Sequence, residues 1–263
     1  MQSPNNSPQT LPALPLLFDI QCAVGAALHA GKPAEFSVQS LLSDLQKFNI
    51  SRALVRLGHC EYHYDLLHEN KILFSIAREN TCLLPCPLVI PSAGSDFPSE
   101  ETQVADALAH DSGGVWIRPL KDTWVTEPWC AGKLFKTLEK ARLPVLCPIS
   151  QVPYTNIAAI AEKYPRLPLI IIMADYRSQH IILPLLKTFR NVYLSTGNNY
   201  IVHHGLEQLA AAGLIRQLLF GTNFPASDCG PAISYLNYSD LPVSHKKLIA
   251  CENYLRLLKG IKK

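Results

Sequence analysis

The sequence predicts an α/β fold, and within that class a single (β/α)8 (TIM) barrel. From residue 16 onward, short apolar runs alternate with longer amphipathic stretches, and eight such pairs fit within 263 residues. Continuous apolar runs indicate strands buried on both faces, and a 3.6-residue period indicates helices. An open doubly wound sheet is the alternative. No Gly-x-Gly-x-x-Gly follows any predicted strand, which disfavours a dinucleotide-binding version.

The predicted elements alternate in chain order. The predicted strands occupy residues 16–22, 53–57, 83–90, 114–119, 144–149, 169–173, 192–195 and 217–220. The predicted helices occupy residues 38–48, 62–80, 101–110, 131–142, 156–164, 178–189, 202–212 and 244–258. Ser37 is a suitable N-cap for the first helix, and Pro85 and Pro87 predict that the third strand is irregular.

Composition predicts one domain over residues 16–263, preceded by a flexible lead of residues 1–15. The net charge of +3, with 17% charged residues and no basic stripe, argues against a nucleic-acid partner. No apolar run reaches the ~20 residues that a membrane span requires. The N-terminus lacks the positive segment of a signal peptide, so we expect a cytoplasmic protein with free thiols rather than disulfides or a zinc site.

The active face of a barrel is formed by the carboxyl ends of its strands, and several motifs fall there. The first strand contains Asp19-Ile-Gln-Cys-Ala23, and the fifth contains Pro144-Val-Leu-Cys-Pro148. The sixth strand runs into Met173-Ala-Asp175, and the eighth ends in Phe220-Gly-Thr-Asn-Phe-Pro225.

Together with the closing Asn253-Tyr-Leu-Arg-Leu-Leu258, these motifs resemble those of the amidohydrolase-related metal-dependent hydrolases (amidohydrolase family 2). That family has Asp-x-His-x-His on the first strand, Pro-Val-Leu-x-His on the fifth, a histidine after the sixth, and Phe-Gly-Thr-Asp-aromatic-Pro after the eighth. The resemblance implies a TIM barrel with a mononuclear metal site. In this chain the corresponding positions are Gln21, Ala23, Pro148 or Cys147, Met173 or Ala174, and Asn223. We therefore expect a degenerate metal site and no cofactor.

Without a metal-bound water, catalysis would need another base, because the Asn223 amide cannot accept a proton. The candidate catalytic residues are Asp175, His59 and Asn223. Asp175 could equally belong to the cap of the next helix, where Ser178 is the expected N-cap. For His59, a surface loop position is the alternative.

The candidate ligand-binding residues are Asp19, Gln21, Arg56, Arg118, Asn198 and Asn199. Guanidinium groups at a barrel mouth suit carboxylate or phosphate recognition. The alternatives are a salt bridge from these arginines to Asp19 or Asp175, a purely structural Asp19, and a plain turn at the two asparagines.

The sequence thus predicts an amidohydrolase-like barrel that binds a small anion or serves as a scaffold, without metal-dependent hydrolysis. The alternative is a metal-independent hydrolase of a small carboxylate-bearing lactone or ester. A metal hydrolase with unexpected ligands is the third alternative. The expected partner is a small, anionic molecule, and the resemblance suggests a homodimer.

Overall fold

The computed structural model describes residues 16–29, 32–58, 65–92, 97–197 and 200–263. Parallel strands in this part of the chain form a TIM barrel, which confirms the predicted fold class. The strands are β1 (Leu17–His29), β2 (Lys32–Phe36), β3 (Ile50–Leu57), β4 (Leu83–Pro85), β5 (Val115–Trp116), β6 (Val145–Pro148), β7 (Leu169–Ile172), β8 (Val192–Thr196) and β9 (Leu218–Phe220).

Two sheets, with strand orders β2-β1-β3-β4 and β5-β6-β7-β8-β9, meet at both edges to close the barrel. At one edge, Leu88 and Trp116 form a parallel bridge between the chain beyond β4 and strand β5. At the other edge, the amide of Ala23 donates to the carbonyl of Phe224 at 2.8 Å. The short β4 shows that the predicted proline-interrupted strand is irregular, because proline cannot donate to a strand ladder.

The antiparallel strand β2 is an addition that the sequence analysis missed. Strand β1 runs beyond the predicted end at residue 22 and pairs with β2, in a register that places Gly25 opposite Phe36. The barrel itself therefore consists of β1 and β3 to β9, all parallel.

Ten helices are described: α1 (Val38–Lys47), α2 (Leu66–Glu79), α3 (Glu100–Ala109), α4 (Pro128–Ala141), α5 (Tyr154–Lys163), α6 (Gln179–Thr188), α7 (Gly205–Ala211), α8 (Cys229–Asn237), α9 (Val243–Lys247) and α10 (Asn253–Gly260). A π-helical segment, Leu248–Glu252, joins α9 to α10. The Ser37 hydroxyl accepts from the amide of Ser40, as predicted for an N-cap. Helix α8, which Asp228 caps, was not predicted.

The core lies between the strands and the apolar helix faces. Strands β6 and β7 are buried along their whole length. Helix α4 buries Ala131, Leu134, Leu138 and Ala141, a spacing of three and four residues that points one face at the strands. Within the described ranges, no helix is long and apolar enough to cross a membrane.

Candidate functional site

A pocket of about 240 Å³ lies at the carboxyl ends of the barrel strands. Its lining comes from the ends of β3, β5, β6 and β7 and from the loops after them: Arg56, Trp116, Arg118, Lys121, Pro148, Ser150, Gln151 and Met173. The floor is apolar and the cationic groups come from one side of the barrel. The structure thus brings together Arg56 and Arg118, two of the residues predicted to bind an anion.

Arg118 is 2% exposed, although it carries a permanent charge. Its Nε donates to Oδ2 of Asp122 at 2.8 Å. The alternative in which Asp19 or Asp175 pairs with this arginine is wrong, because Asp122 lies one turn further along the same loop and is closer. Among the described residues, neither terminal nitrogen of Arg118, Nη1 or Nη2, has a hydrogen-bond partner. Asp122 therefore fixes the guanidinium through Nε, and the two terminal nitrogens are not used in this ion pair.

The Trp116 ring supports both arginines. The guanidinium carbon of Arg56 lies 5.2 Å from the ring centroid, and that of Arg118 lies 5.7 Å from it. Cations at this distance from an aromatic face are attracted by the ring quadrupole. The indole ring therefore attracts both guanidinium groups, which partly offsets their mutual repulsion.

The seam between β1 and β9 contains Asp19, which is fully buried. Its Oδ1 accepts from the amides of Gln21 at 2.9 Å and Thr222 at 3.1 Å, and its Oδ2 accepts from the Thr222 hydroxyl. Burial raises the pKa of Asp19 above its ordinary 3.8, and the opposing effect of these hydrogen bonds is smaller. The carboxyl group cross-links the two strands, which agrees with the structural alternative for Asp19.

The Gln21 side chain reaches from β1 past β9 to β8. Its Oε1 accepts from the hydroxyl of Ser195 at 2.9 Å, and the line between them passes over Gly221. A Cβ on Gly221 would lie 2.3 Å from Ser195 Oγ and 3.1 Å from Gln21 Cβ. Glycine is therefore required at this position for the Gln21–Ser195 hydrogen bond to form.

Two polar atoms near this seam are buried and without a hydrogen-bond partner in the part of the chain that the structure describes. They are Nε2 of Gln21 and Oδ1 of Asn223. Asn223 has φ of 63°, and Met173, at the end of β7, has φ of 62°. Asparagine tolerates this left-handed region, whereas for methionine it costs about 1 kcal/mol. Strained backbone of this kind is concentrated at functional sites, which agrees with the position of Met173 in the pocket.

Asp175, a predicted catalytic residue, is exposed and does not line the Arg118 pocket. Its Oδ1 accepts from the amide of Arg177 at 2.7 Å and from the hydroxyl of Ser178 at 3.3 Å. The predicted N-cap, Ser178, makes no side-chain capping bond, because Asp175 already caps this turn. The other candidates His59, Asn198 and Asn199 lie outside the described residues, so their predicted roles stay untested.

The cysteines near the strand ends are buried thiols. Burial raises the pKa of Cys147 to about 12 and that of Cys22 well above its ordinary value of 9.0. Neither is poised as a thiolate nucleophile at neutral pH, as the sequence predicts. The described residues include one trio whose potential metal-donor atoms lie within 4.8 Å of one another, namely His204, Glu207 and Asp240 near the surface.

Sequence reasoning missed three contributors to the site. Trp116 ends β5 two residues before Arg118, and Asp122 follows Arg118 by four residues in the loop. The spacing of these residues can be found in the sequence. The ion pair between Arg118 and Asp122 cannot be predicted from that spacing. The contact between Ser195 and Gln21 spans 174 residues of sequence and could be found only from the fold.

The fold is similar to that of solved TIM-barrel structures, which include an amidohydrolase II. No family model and no curated protein matches the sequence. Solved structures do match it across almost the whole chain. A protein described as an amidohydrolase II has 16% identity and a TM-score of 0.69, with 92% of this chain and 99% of that one covered.

Two further matches carry functional descriptions. A putative 2-pyrone-4,6-dicarboxylic acid hydrolase from Pseudomonas putida has 12% identity and a TM-score of 0.69, with coverages of 94% and 99%. The 5-carboxyvanillate decarboxylase from Novosphingobium aromaticivorans, solved with manganese and a nitrobenzoic acid derivative, has 13% identity, a TM-score of 0.70 and coverages of 93% and 97%. At these identities the similarity establishes the fold alone.

Proposed function

We propose that this amidohydrolase-like barrel binds a small organic anion in the Arg118 pocket and does not perform metal-dependent hydrolysis. The observation that carries the proposal is the buried Arg118 guanidinium, whose Nη1 and Nη2 find no partner among the described residues. A buried donor without a hydrogen-bond partner costs about 1–3 kcal/mol, and a planar carboxylate would satisfy both nitrogens at once.

The surroundings of Arg118 favour a carboxylate with an apolar body. Trp116, Pro148 and Met173 provide the apolar surface, while Lys121 adds a positive charge at the rim. Asp122 pairs with Arg118 through its Nε. The dicarboxylic acid and the carboxyvanillate in the names of the structural neighbours are carboxylates too, which supports this ligand class.

The donor set at these strand ends does not suit a metal that prefers imidazole or thiolate ligands, such as zinc, which supports the loss of the metal site. Gln21 and Asn223 offer neutral amide oxygens, and Ala23 offers no ligand atom. Asp19 already accepts three hydrogen bonds within the seam, and the raised pKa of Cys147 disfavours a thiolate ligand. The manganese of the Novosphingobium decarboxylase is therefore no guide to this chain.

Among the described residues, the side chains of Tyr176 and Met173 do not close the mouth, which favours a pocket-bound ligand over a purely structural scaffold. Tyr176 is 54% exposed and extends away from the core. Met173 lines the cavity rather than closing it.

The second candidate function is metal-independent hydrolysis of a small carboxylate-bearing lactone or ester. The two Arg118 nitrogens without a partner among the described residues favour it, since they could polarise a carbonyl. Asp175 lies outside the pocket, which leaves His59 as the candidate base.

Calorimetric titration of the full chain with benzoate and succinate tests the proposal. The wild type is expected to bind at least one of the two acids. Arg118→Lys, which keeps the charge but loses the planar fork, should weaken binding about 10- to 100-fold, equivalent to one to two charge-assisted hydrogen bonds. Arg78→Lys, at an exposed position on α2, should bind like the wild type. Equal binding by Arg118→Lys and wild type would contradict the proposal. Turnover of a lactone or ester by the metal-free protein would favour the second candidate.

A further inference from the structure

Three side chains outside the barrel mouth bring potential metal-donor atoms together, and we call them the His204 cluster: His204, Glu207 and Asp240. Their donor atoms lie within 4.8 Å of one another, and Nδ1 of His204 is 3.9 Å from Oδ2 of Asp240. Ligands arranged tetrahedrally at about 2.1 Å from a zinc ion are about 3.4 Å apart. Small side-chain rotations would therefore bring all three donors onto one ion.

The two carboxylates of the cluster lie close together without a strong cation beside them. Among the described residues, no lysine or arginine forms an ion pair with Glu207 or Asp240, and Asp240 has only the 3.9 Å contact with His204. A neutral imidazole does not offset the repulsion between two carboxylates, whereas a divalent cation does. One histidine nitrogen and two carboxylate oxygens form a donor set that zinc accepts.

The backbone around the cluster is held in place by hydrogen bonds within the protein. The Tyr235 hydroxyl on α8 donates to the carbonyl of Val202 at 3.0 Å and accepts from its amide at 3.3 Å. The amide of Asp240 donates to Oε1 of Glu207 at 2.7 Å, which orients that carboxylate and does not use its Oε2. These bonds fix the segment that carries His204 against the segment that carries Asp240. A site whose ligands are already positioned loses less conformational entropy when it binds.

We propose that the His204 cluster binds one zinc ion, with water completing the coordination. None of its three residues lines the Arg118 pocket, so this inference is independent of the proposed function. Because His204 and Asp240 are exposed, the ion exchanges readily and is lost on dilution, unlike the tightly held ion of a metal hydrolase. Its role is structural, since it cross-links the segment after β8 to the segment after α8 and stabilises the folded chain.

The test is calorimetric titration of the reduced, metal-free full chain with zinc, applied to the wild type and to three ligand variants. His204→Gly removes the imidazole and suits the left-handed backbone at this position, where φ is 49°. Glu207→Gln and Asp240→Asn each remove one charge and keep the side-chain volume. His68→Gln, at an exposed position on α2, is the matched control.

The wild type and the control should bind one zinc per chain with a micromolar dissociation constant. Loss of an outer-sphere partner weakens metal sites about 10- to 100-fold, so each ligand variant should lose at least that much affinity. An excess of zinc that saturates the wild type should raise its melting temperature by more than that of each ligand variant.

Absence of zinc binding by the wild type would overturn the inference. Undiminished binding by His204→Gly, or by both carboxylate variants, would also overturn it, because other groups such as the half-buried cysteines would then hold the ion. Neither result would affect the Arg118-dependent binding of carboxylates.

Discussion

Two buried ionisable groups, Asp19 at the seam and Arg118 at the mouth, differ in how many of their polar atoms have hydrogen-bond partners. Asp19 receives three hydrogen bonds from within the protein, and both of its oxygens are used. Arg118 receives one ion pair, to Asp122, and among the described residues its other two nitrogens have no partner. Asp19, whose hydrogen bonds are made within the protein, has a structural role. In the proposed function Arg118, which has unused donors at a strand end, binds the ligand.

The largest effect should come from removing the Asp19 carboxylate. Asp19→Ala leaves two backbone amides and the Thr222 hydroxyl without their acceptor at the barrel seam, and should lower the free energy of unfolding by about 3 kcal/mol. Urea denaturation measures this loss. Asp106→Ala, an exposed change on α3, should cost less than about 0.5 kcal/mol. If Asp19→Ala lost as little stability as the control, Asp19 would have no structural role at the seam.

A somewhat smaller effect is expected from Gly221→Ala, because the new methyl group would occupy the space of the Ser195 hydroxyl. Overpacking of this kind costs about 1–3 kcal/mol. The double variant with Ser195→Ala should recover part of that loss, since the clashing oxygen is gone. Denaturation of the two single variants and the double variant completes the cycle. Purely additive losses would mean that Gly221 does not act through the Gln21–Ser195 bond.

The smallest effect is a pH dependence that comes from Asp19. Its pKa is raised in the folded state, so the folded chain holds this proton over a pH range in which the unfolded chain has released it. The stability of the wild type should therefore fall relative to Asp19→Asn as the pH rises above 3.8, the ordinary pKa of this group. Denaturation curves at several pH values between 4 and 8 measure this difference. A difference that stays constant, or a gain by the wild type, would show that the raised pKa is wrong.

The barrel was predictable from the sequence because strand and helix periodicity are local properties. Runs such as residues 169–173 and the apolar spacing in residues 131–142 have few other interpretations. The hairpin strand Lys32–Phe36 was not predictable, because its pairing depends on β1 continuing past the barrel. Helix α8 was missed because its sequence begins Cys-Gly-Pro, which resembles a loop.

The candidate site was only half predictable. Arginines and amides at strand ends could be found by placing motifs on a barrel, and Arg56 with Arg118 does meet at the mouth. The partner of Arg118 and the contact of Gln21 with Ser195 depend on side-chain directions that periodicity does not fix. For the same reason the alternative pairing of Arg118 with Asp19 or Asp175 could be tested only once the fold was known.

The central proposal is that the barrel mouth binds organic anions in place of a metal. The most direct test is to measure the metal content of protein purified without chelator. Inductively coupled plasma mass spectrometry should find zinc, manganese, iron and nickel each far below one per chain, with binding of carboxylates unaffected by adding them. One tightly held metal per chain would contradict the proposal. Ligands would then be sought among Asp19, His59, Cys147 and Asp175, and hydrolysis would become the leading function.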